Sequence, residues 1–443
     1  MNDSLPAQTA EGRASSFRDY LGISLFWLAL SFLWGALLTI ALPAHIDSLF
    51  PGNKDRVLAI ITSSGAAVAG LSQIVFGALS DGSRSKFGRR RPFLFWGTLL
   101  AVGPLLLLPH AQSLAMIVLV YALLQLTINV AGGPYGALMH DLIPVKNHGT
   151  AGAWIGAVGL LGRIGGPLVA VVLLGRGLDS KRGAAFNAVQ SGANFGVLLA
   201  TFAGVLVLIM LATLFLLHEQ PGQAPRATIG ERLANTFRVP LRPYPNFCWL
   251  IASRFGIMMG VYTVSNFLLY YIQDTLGFKG SESLTVAKNF LILSTLTGLI
   301  GTFPSGALAR RVGLKPVLYG ANAISMLAGL CFAFAPNITL AYVAAGVFGA
   351  GFGAFSAVDW ALATGLLPPR EPAKYMGVWG LSDTLSQVIA PLIAGPLAFG
   401  LNRALGHGLG YRALMLLALG WFLFGTLALR PIRGNHPPID EHG

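Results

Sequence analysis

The sequence predicts an all-α polytopic membrane protein, with twelve transmembrane helices arranged as two similar six-helix halves. Of its 443 residues, 54% are hydrophobic and only 11% are charged, and the mean hydropathy is +0.66. A soluble domain carries about 25% charged residues. This composition excludes an ordinary soluble enzyme. Charge-free runs along the chain and an internal repeat then specify the arrangement of the helices.

Six apolar segments in the first part of the chain are long enough to span a bilayer. A spanning helix needs about 20 mainly apolar residues, because about 30 Å of hydrocarbon is crossed at about 1.5 Å per residue. The third and fourth segments share one run without Asp, Glu, Lys or Arg, and the sequence around Pro109 folds them back on each other. The predicted spans are Leu21–Ile46, Val57–Ser80, two within Pro92–His140, one near 149–174 and one within Gly183–His218.

The second part of the chain repeats this layout after a polar, proline-rich stretch at 218–246. We therefore predict an N-terminal six-helix bundle over 1–217, a cytoplasmic linker over 218–246 and a C-terminal six-helix bundle over 247–443. The spans predicted for the second bundle lie near 247–273, 285–308, 316–335, 338–364, 374–401 and 411–430.

The two halves resemble each other in short landmarks that recur in the same order at one near-constant offset. Paired halves with a site at their interface are the architecture of a secondary transporter. The recurring pairs are Leu142–Pro144 with Leu366–Pro368, Trp154 with Trp379, Gly166–Leu168 with Ala390–Leu392, and Gly77–Leu79 with Gly306–Leu308.

The positive charges predict the orientation of the chain. Of its 30 Lys and Arg residues, most lie in the connections on one side, which the positive-inside rule places in the cytoplasm. Both termini are then cytoplasmic, in a multi-pass protein of the cell (plasma or inner) membrane. The net charge of +13 is a topology signal, so we expect no nucleic-acid partner. Walker-type, HExxH and nucleophile-elbow motifs do not occur, so we expect no enzyme activity, cofactor or metal.

The loop between spans two and three is the most informative stretch. Gly77 allows another helix to approach, Asp81 ends its helix where a carboxylate opposes the dipole, and Gly88 turns the chain. Asp81 therefore needs a partner, such as an arginine or a neighbouring helix N-terminus. Three consecutive arginines, Arg89, Arg90 and Arg91, supply planar donors for carboxylates or lipid phosphates.

This loop resembles the signature of the major facilitator superfamily. Its spacing, ending in Arg89–Pro92, more specifically resembles the sucrose-transporter and glycoside–pentoside–hexuronide cation symporter branch. Ser31–Ala36 in span one and Gly133–Leu142 in span four also resemble that branch. The resemblance covers essentially the whole chain and implies the major facilitator fold.

The resemblance also implies a latch on the cytoplasmic face, closed when the protein opens outward. Asp81 would brace the start of span eleven near Lys374, and Arg89–Arg91 would meet Asp141.

The chain departs from the resembled branch in two features, one that concerns the substrate and one that concerns the coupled ion. Plant sucrose transporters carry an arginine where this chain has Gly136, and melibiose-type relatives carry span-two aspartates that Val57–Ser80 lacks.

Four charges lie inside predicted spans: Arg163, Arg254, Asp359 and Asp383. Each costs about 2.5–3.5 kcal/mol on insertion scales, so each is a functional candidate. Arg254 and Asp359 lie at about equal depth and could meet, either as a static pair or with a proton competing for Asp359. Asp383 is the next candidate for coupling. Arg163 could hydrogen-bond a polyol, snorkel to the surface or pair with Asp383.

Aromatic and amide side chains on spans one, four, seven and ten form a set of substrate-binding candidates. A sugar site combines an aromatic platform with amide and charged groups for the hydroxyls. Each member could equally be a packing residue. The substrate-binding candidates are Trp34, Gln125, Asn129, Tyr135, Tyr262, Asn266 and Trp360.

Three further polar residues lie near the ends of predicted spans. His45, Asp47 and His110 are interpreted as solvated residues of the adjoining loops.

These features predict a secondary active transporter that works by alternating access, with proton-coupled uptake of a sugar or glycoside as its function. Its partners would be the small-molecule substrate, a proton and the lipid bilayer, and we expect a monomer. One alternative is an exporter or a carrier of another organic solute on the same fold. A second is a non-transporting receptor or assembly factor.

Overall fold

The computed structural model describes residues 16–144, 148–176, 184–217, 219, 241–366, 372–406 and 408–432. This part of the chain consists of helices and short connections and contains no strand. Twelve of its helices are long and apolar enough to cross a membrane. The predicted all-α fold with twelve transmembrane helices is confirmed.

The first six spans follow the predicted order. Span one is a helix over Phe17–Ala36, continued by a π-helical turn, Leu37–Ala41, and a further helix, Leu42–Leu49. A 3-10 turn just before Ala111 makes the predicted fold-back between spans three and four. Spans two to six are Lys54–Asp81, Arg91–Leu107, Leu114–Leu142, His148–Leu174 and Ala184–Leu216.

The second six spans also follow the predicted order. Span seven, Pro245–Ser265, is followed by a short helix, Leu268–Tyr270, and a π-helical turn, Tyr271–Thr275. Several helices are longer than predicted, because hydropathy marks only the apolar part of a helix whose polar ends continue the same hydrogen-bonding pattern. Spans eight to twelve are Gly280–Val312, Leu314–Phe334, Ile338–Gly365, Pro372–Leu405 and Leu409–Ala428.

Helix packing follows the same order in the two halves. Span one packs on spans five and six, and span seven packs correspondingly on spans eleven and twelve. The halves meet where span two runs along span eleven and span five contacts span eight. Most of the predicted linker lies outside the described residues, so the boundaries of the predicted bundles at 217 and 247 stay predictions.

Close contact between spans two and eleven depends on Gly395. A methyl group on Gly395 would collide with the side chain of Ala59 and with the backbone carbonyl of Asp55. Small residues allow transmembrane helices to approach closely. The end of the molecule near this contact is called the far face below. The opposite end, which carries the loop between Asp81 and Arg91, is called the latch face.

Candidate functional site

Arg254 and Asp359 form an ion pair inside the C-terminal half. Arg254 Nη1 lies 2.5 Å from Asp359 Oδ2, and the Asp359 side chain is only 1% exposed. The Arg254 guanidinium also stacks on Trp379, with Cζ 3.6 Å from the ring centroid. Trp360 packs edge-on against Trp379 at 5.1 Å. Arg254 and Asp359, which were predicted to lie at equal depth in the membrane, therefore neutralise each other. Trp379, the counterpart of Trp154 in the internal repeat, provides the aromatic face on which the guanidinium stacks.

Asp383 is held by neutral donors. The hydroxyl of Tyr262 donates to both carboxylate oxygens at 3.2 Å, and Gln387 Nε2 donates to Oδ2 at 3.0 Å. Gln387 lies one helical turn beyond Asp383 on span eleven, so the two side chains share a face. Among the described residues, no Lys, Arg or His forms an ion pair with Asp383. Within the described part of the chain, Asp383 therefore has hydrogen-bond donors but no ion-pair partner.

Arg163 approaches this group from the N-terminal half. Its side chain is exposed and lies close to the Tyr262 hydroxyl of the other half. Within the described part of the chain, Arg163 forms no ion pair, so the predicted alternative of pairing with Asp383 is not realised in this conformation. A cation from one half and an anion from the other thus lie near the interface without being joined.

Several predicted substrate-binding residues have their polar groups engaged within the N-terminal half. The Tyr135 hydroxyl donates to the Ile23 carbonyl at 2.6 Å, and its ring is stacked on Trp27. Gln125 Nε2 donates to Tyr121 at 3.0 Å, while Asn129 Nδ2 donates to the Gln125 carbonyl at 2.8 Å. These contacts favour packing roles.

The remaining candidates divide between the packed core and the charged groups. Trp34 is half-buried against the core, and Asn266 is buried where span seven ends. Tyr262 and Trp360 lie with the charged groups, and 47% of Trp360 is exposed. Trp27 was not predicted, although it lies two helical turns before Trp34 on the same face of span one.

At the latch face, Arg89 and Arg90 converge on Asp141. Arg89 Nη2 lies 2.8 Å from Asp141 Oδ1, and Arg90 Nε lies 2.9 Å from Asp141 Oδ2. Arg90 also pairs with Asp81 at 2.5 Å and donates to Ser80, and only 2% of its side chain is exposed. Two of the three arginines predicted to meet Asp141 thus also supply the partner that Asp81 needs. The prediction was wrong for Arg91, whose side chain donates to the Leu214 carbonyl at 2.7 Å.

Glu219, which the sequence analysis missed, completes this cluster. Its carboxylate accepts the backbone N–H groups of Arg90 at 2.8 Å and Arg91 at 3.0 Å, and so caps the start of span three. Burial raises the pKa of Glu219 above its ordinary value. Gly88 has a φ of 109°, and a side chain there would also strike Glu219. The only sign of this role in the sequence is that Glu219 is an acidic residue directly after span six.

The contact predicted between Asp81 and the start of span eleven stays a prediction, and the helix that approaches Gly77 is span four. The side chain of Lys374 lies outside the described residues, and the described partners of Asp81 are Arg89 and Arg90. No described atom lies within 4 Å of the point where a Cβ of Gly77 would stand. Span four instead approaches the Gly77 backbone through Gly133, which itself has no side chain.

The interpretation of residues at the far face as solvated was wrong for His45. Only 5% of His45 is exposed, and its ring stacks on Phe195 with centroids 4.0 Å apart. Asp47 is half-buried and pairs with Lys54 at 3.2 Å. His110 is exposed, as expected. Charges at the ends of apolar helices look solvated in a sequence, because the helix that covers them is far away along the chain.

Comparison with known proteins places these features in context. The family model described as MFS/sugar transport protein matches residues 25–367. An uncharacterized MFS-type transporter of Mycobacterium tuberculosis is 27% identical over 112 residues, which are 25% of this chain and 16% of that protein. The chain therefore matches much less than two thirds of the length of this relative.

Solved structures resemble the whole fold. The crystal structure of a mutant of the nucleoside transporter NupG superposes with a TM-score of 0.69 at 15% identity, covering 94% of this chain and 100% of that chain. A D-xylose-proton symporter has a TM-score of 0.70 at 14% identity, covering 95% and 98%. A bacterial homolog of the lysosomal transporter Spinster, in an inward-facing and occupied conformation, has a TM-score of 0.70 at 15% identity, covering 94% and 97%. These likenesses concern the fold alone.

Proposed function

Because this chain belongs to the MFS/sugar transport protein family, we propose that it carries a sugar or glycoside across the cell membrane together with a proton. The proposal depends on one observation. Asp383 of the C-terminal half and Arg163 of the N-terminal half are ionisable residues of membrane-spanning helices, both close to Tyr262, and no ion pair joins them in this conformation. Alternating access would let a substrate between the halves contact both groups.

The contacts of the two aspartates favour Asp383 as the proton-coupling group. A proton arriving at Asp359 would have to displace Arg254 and leave a buried cation without a partner. A proton arriving at Asp383 would displace no described ion-pair partner, and Tyr262 and Gln387 can still bond the neutral acid. We therefore assign a static role to the Arg254–Asp359 pair.

A sugar suits the groups that surround Asp383. Carboxylate, amide and guanidinium groups bind hydroxyls as acceptors and donors, and the exposed ring of Trp360 provides an apolar platform. A substrate that bonded Arg163 and Asp383 at once would draw the halves together around itself. Its passage would then be coupled to the charge on Asp383. The Lys and Arg distribution supports a cytoplasmic latch face, with both termini on that side.

Uptake into proteoliposomes tests this assignment. We expect Asp383→Asn to lose accumulation of sugar driven by a pH gradient while keeping counterflow of labelled sugar, because an amide cannot carry the proton. Proton-driven accumulation at the wild-type level in Asp383→Asn would overturn the assignment. The matched variant Asp359→Asn should instead lower the amount of inserted protein, because it strands Arg254.

The choice of compounds tests the substrate class. Mono- and disaccharides are assayed with pH and sodium gradients imposed separately, and nucleosides are included because one similar fold is that of a nucleoside transporter. Counterflow of nucleosides with no response to any sugar would favour a carrier of another organic solute. Coupling to the sodium gradient alone would overturn the proton as the coupled ion.

A further inference from the structure

A polar cluster at the far face joins the two halves of the molecule, and we call it the far-face bridge. Lys54 Nζ lies 2.9 Å from Asp274 Oδ2 and 3.2 Å from Asp47 Oδ1, and it stands 4.6 Å from the ring centroid of Tyr270. Lys54 and Asp47 belong to the N-terminal half, whereas Asp274 and Tyr270 belong to the C-terminal half. One half-buried cation is therefore shared between the halves.

Two tyrosine hydroxyls add further contacts across the same interface. Tyr411 at the start of span twelve donates to Asp55 Oδ1 at 2.8 Å, and both residues are buried. Tyr270 donates to the carbonyl of Pro43 at 3.1 Å. The tight contact at Gly395 lies directly beside Asp55. Apart from the Lys54–Asp47 pair, the ionic, hydrogen-bonded and packing contacts named at the far face thus run from one half to the other.

We propose that the far-face bridge is a gate, and that Lys54 and Asp274 hold it shut. The inference rests on the alternating access proposed above. If two rigid halves rock about a central site, contacts within one half persist and contacts between the halves must break. The π-helical turns Leu37–Ala41 and Tyr271–Thr275 lie in the parts of spans one and seven that approach the bridge. Such turns are frequent at functional sites.

Opening this gate has a predictable electrostatic consequence. Lys54 keeps Asp47, which belongs to the same half, whereas Asp274 loses its described cationic partner. Asp55 loses the hydroxyl of Tyr411. The closed state is therefore favoured by charge-assisted contacts that the open state lacks. Removing the charge of Asp274 weakens only the closed state, so it should raise the open population.

Distances between spin labels in lipid nanodiscs test the gate without any substrate. In a Cys248→Ser, Cys331→Ser background, one label pair at Asn53 and Lys279 reports on the far face. A second pair at Phe87 and Arg311 reports on the latch face. We expect Asp274→Asn to increase the ratio of long to short far-face distances by about tenfold, with the latch-face distances shortening.

Matched variants separate the gate from a general loss of structure. Glu282→Gln removes a carboxylate from an exposed site on the same half and face, and it should leave both distance distributions unchanged. The charge swap Lys54→Asp with Asp274→Lys should restore the short far-face distances, because the exchanged charges can still pair. If Lys54→Gln fails to fold, Asp274→Asn and the swap still decide the outcome.

The outcomes distinguish the gate from the proposed function. Unchanged far-face distances in Asp274→Asn would overturn the gate, even if that variant lost uptake. Lengthening that the charge swap does not reverse would also overturn it, because the pair itself would not be responsible. Lengthening with restoration by the swap supports the gate. If the wild-type protein then carried no sugar, the proposed function would fail while the gate stood.

Discussion

Two charged clusters lie at opposite ends of the molecule, and they differ in which halves supply their residues. The latch cluster consists of Asp81, Arg89, Arg90, Asp141 and Glu219, of which four belong to the N-terminal half and Glu219 lies directly after its last helix. The far-face bridge takes Lys54 and Asp55 from the N-terminal half and Asp274 and Tyr411 from the C-terminal half. Ionic and hydrogen-bonded contacts thus lie on one half at the latch face and connect the two halves at the far face.

This difference decides what each cluster can control. An interaction of equal strength in two conformations cannot shift the equilibrium between them. The described contacts of the latch cluster move with one half, so they stabilise that half and position its loop. Contacts across the far face exist only when that face is closed, so they favour one conformation. Variants in the two clusters should therefore change different measured quantities.

Arg90→Gln should have the largest effect, and the effect should be on stability. It removes the contacts of one buried guanidinium with Asp81, Asp141 and Ser80, and hydrogen bonds to charged groups contribute about 1.5–3 kcal/mol each. Thermal unfolding in detergent measures the loss. The far-face distances should stay those of the wild type. A shift in these distances with unchanged stability would contradict the distinction between the clusters.

Tyr411→Phe should have a smaller effect, on conformation. It leaves Asp55 without its hydroxyl donor only in the closed state, at a cost of about 1–3 kcal/mol. Spin-label distances should show a larger open population. Tyr271→Phe is the matched control, since the Tyr271 hydroxyl bonds the Phe332 carbonyl within the C-terminal half. Equal increases in the open population of both variants would contradict the distinction between contacts within one half and contacts between the halves.

Asp81→Asn should have the smallest effect on stability, below about 1 kcal/mol, because 58% of the Asp81 side chain is exposed. Transport should nevertheless fall, because the pairs with Arg89 and Arg90 align the loop between spans two and three. Uptake per inserted molecule and the unfolding temperature are measured on the same preparation. Uptake at the wild-type level in Asp81→Asn would show that Asp81 has no function in the latch.

The sequence anticipated some side-chain meetings because membrane depth can be counted along a helix. Arg254 and Asp359 lie at similar depths, and the high cost of a charge in hydrocarbon makes their pairing favourable. The convergence of Arg89 and Arg90 on Asp141 came from the resemblance of the loop. Depth gave no such guide for Lys54, Glu219 or His45, because charged and polar groups at helix ends have water as an alternative partner.

By itself, the sequence determined the number, order and approximate limits of the spans, because hydrocarbon thickness requires long apolar runs. It also confined the intramembrane charges to a few residues, since each one is costly. Only the tertiary structure decided which charges are joined and whether a contact lies within or between the halves. Asp55 and Tyr411 are 356 positions apart, and no local pattern in the chain records that they meet. The physical reason is that helix formation depends on neighbouring residues, whereas contacts between helices depend on how the whole bundle packs.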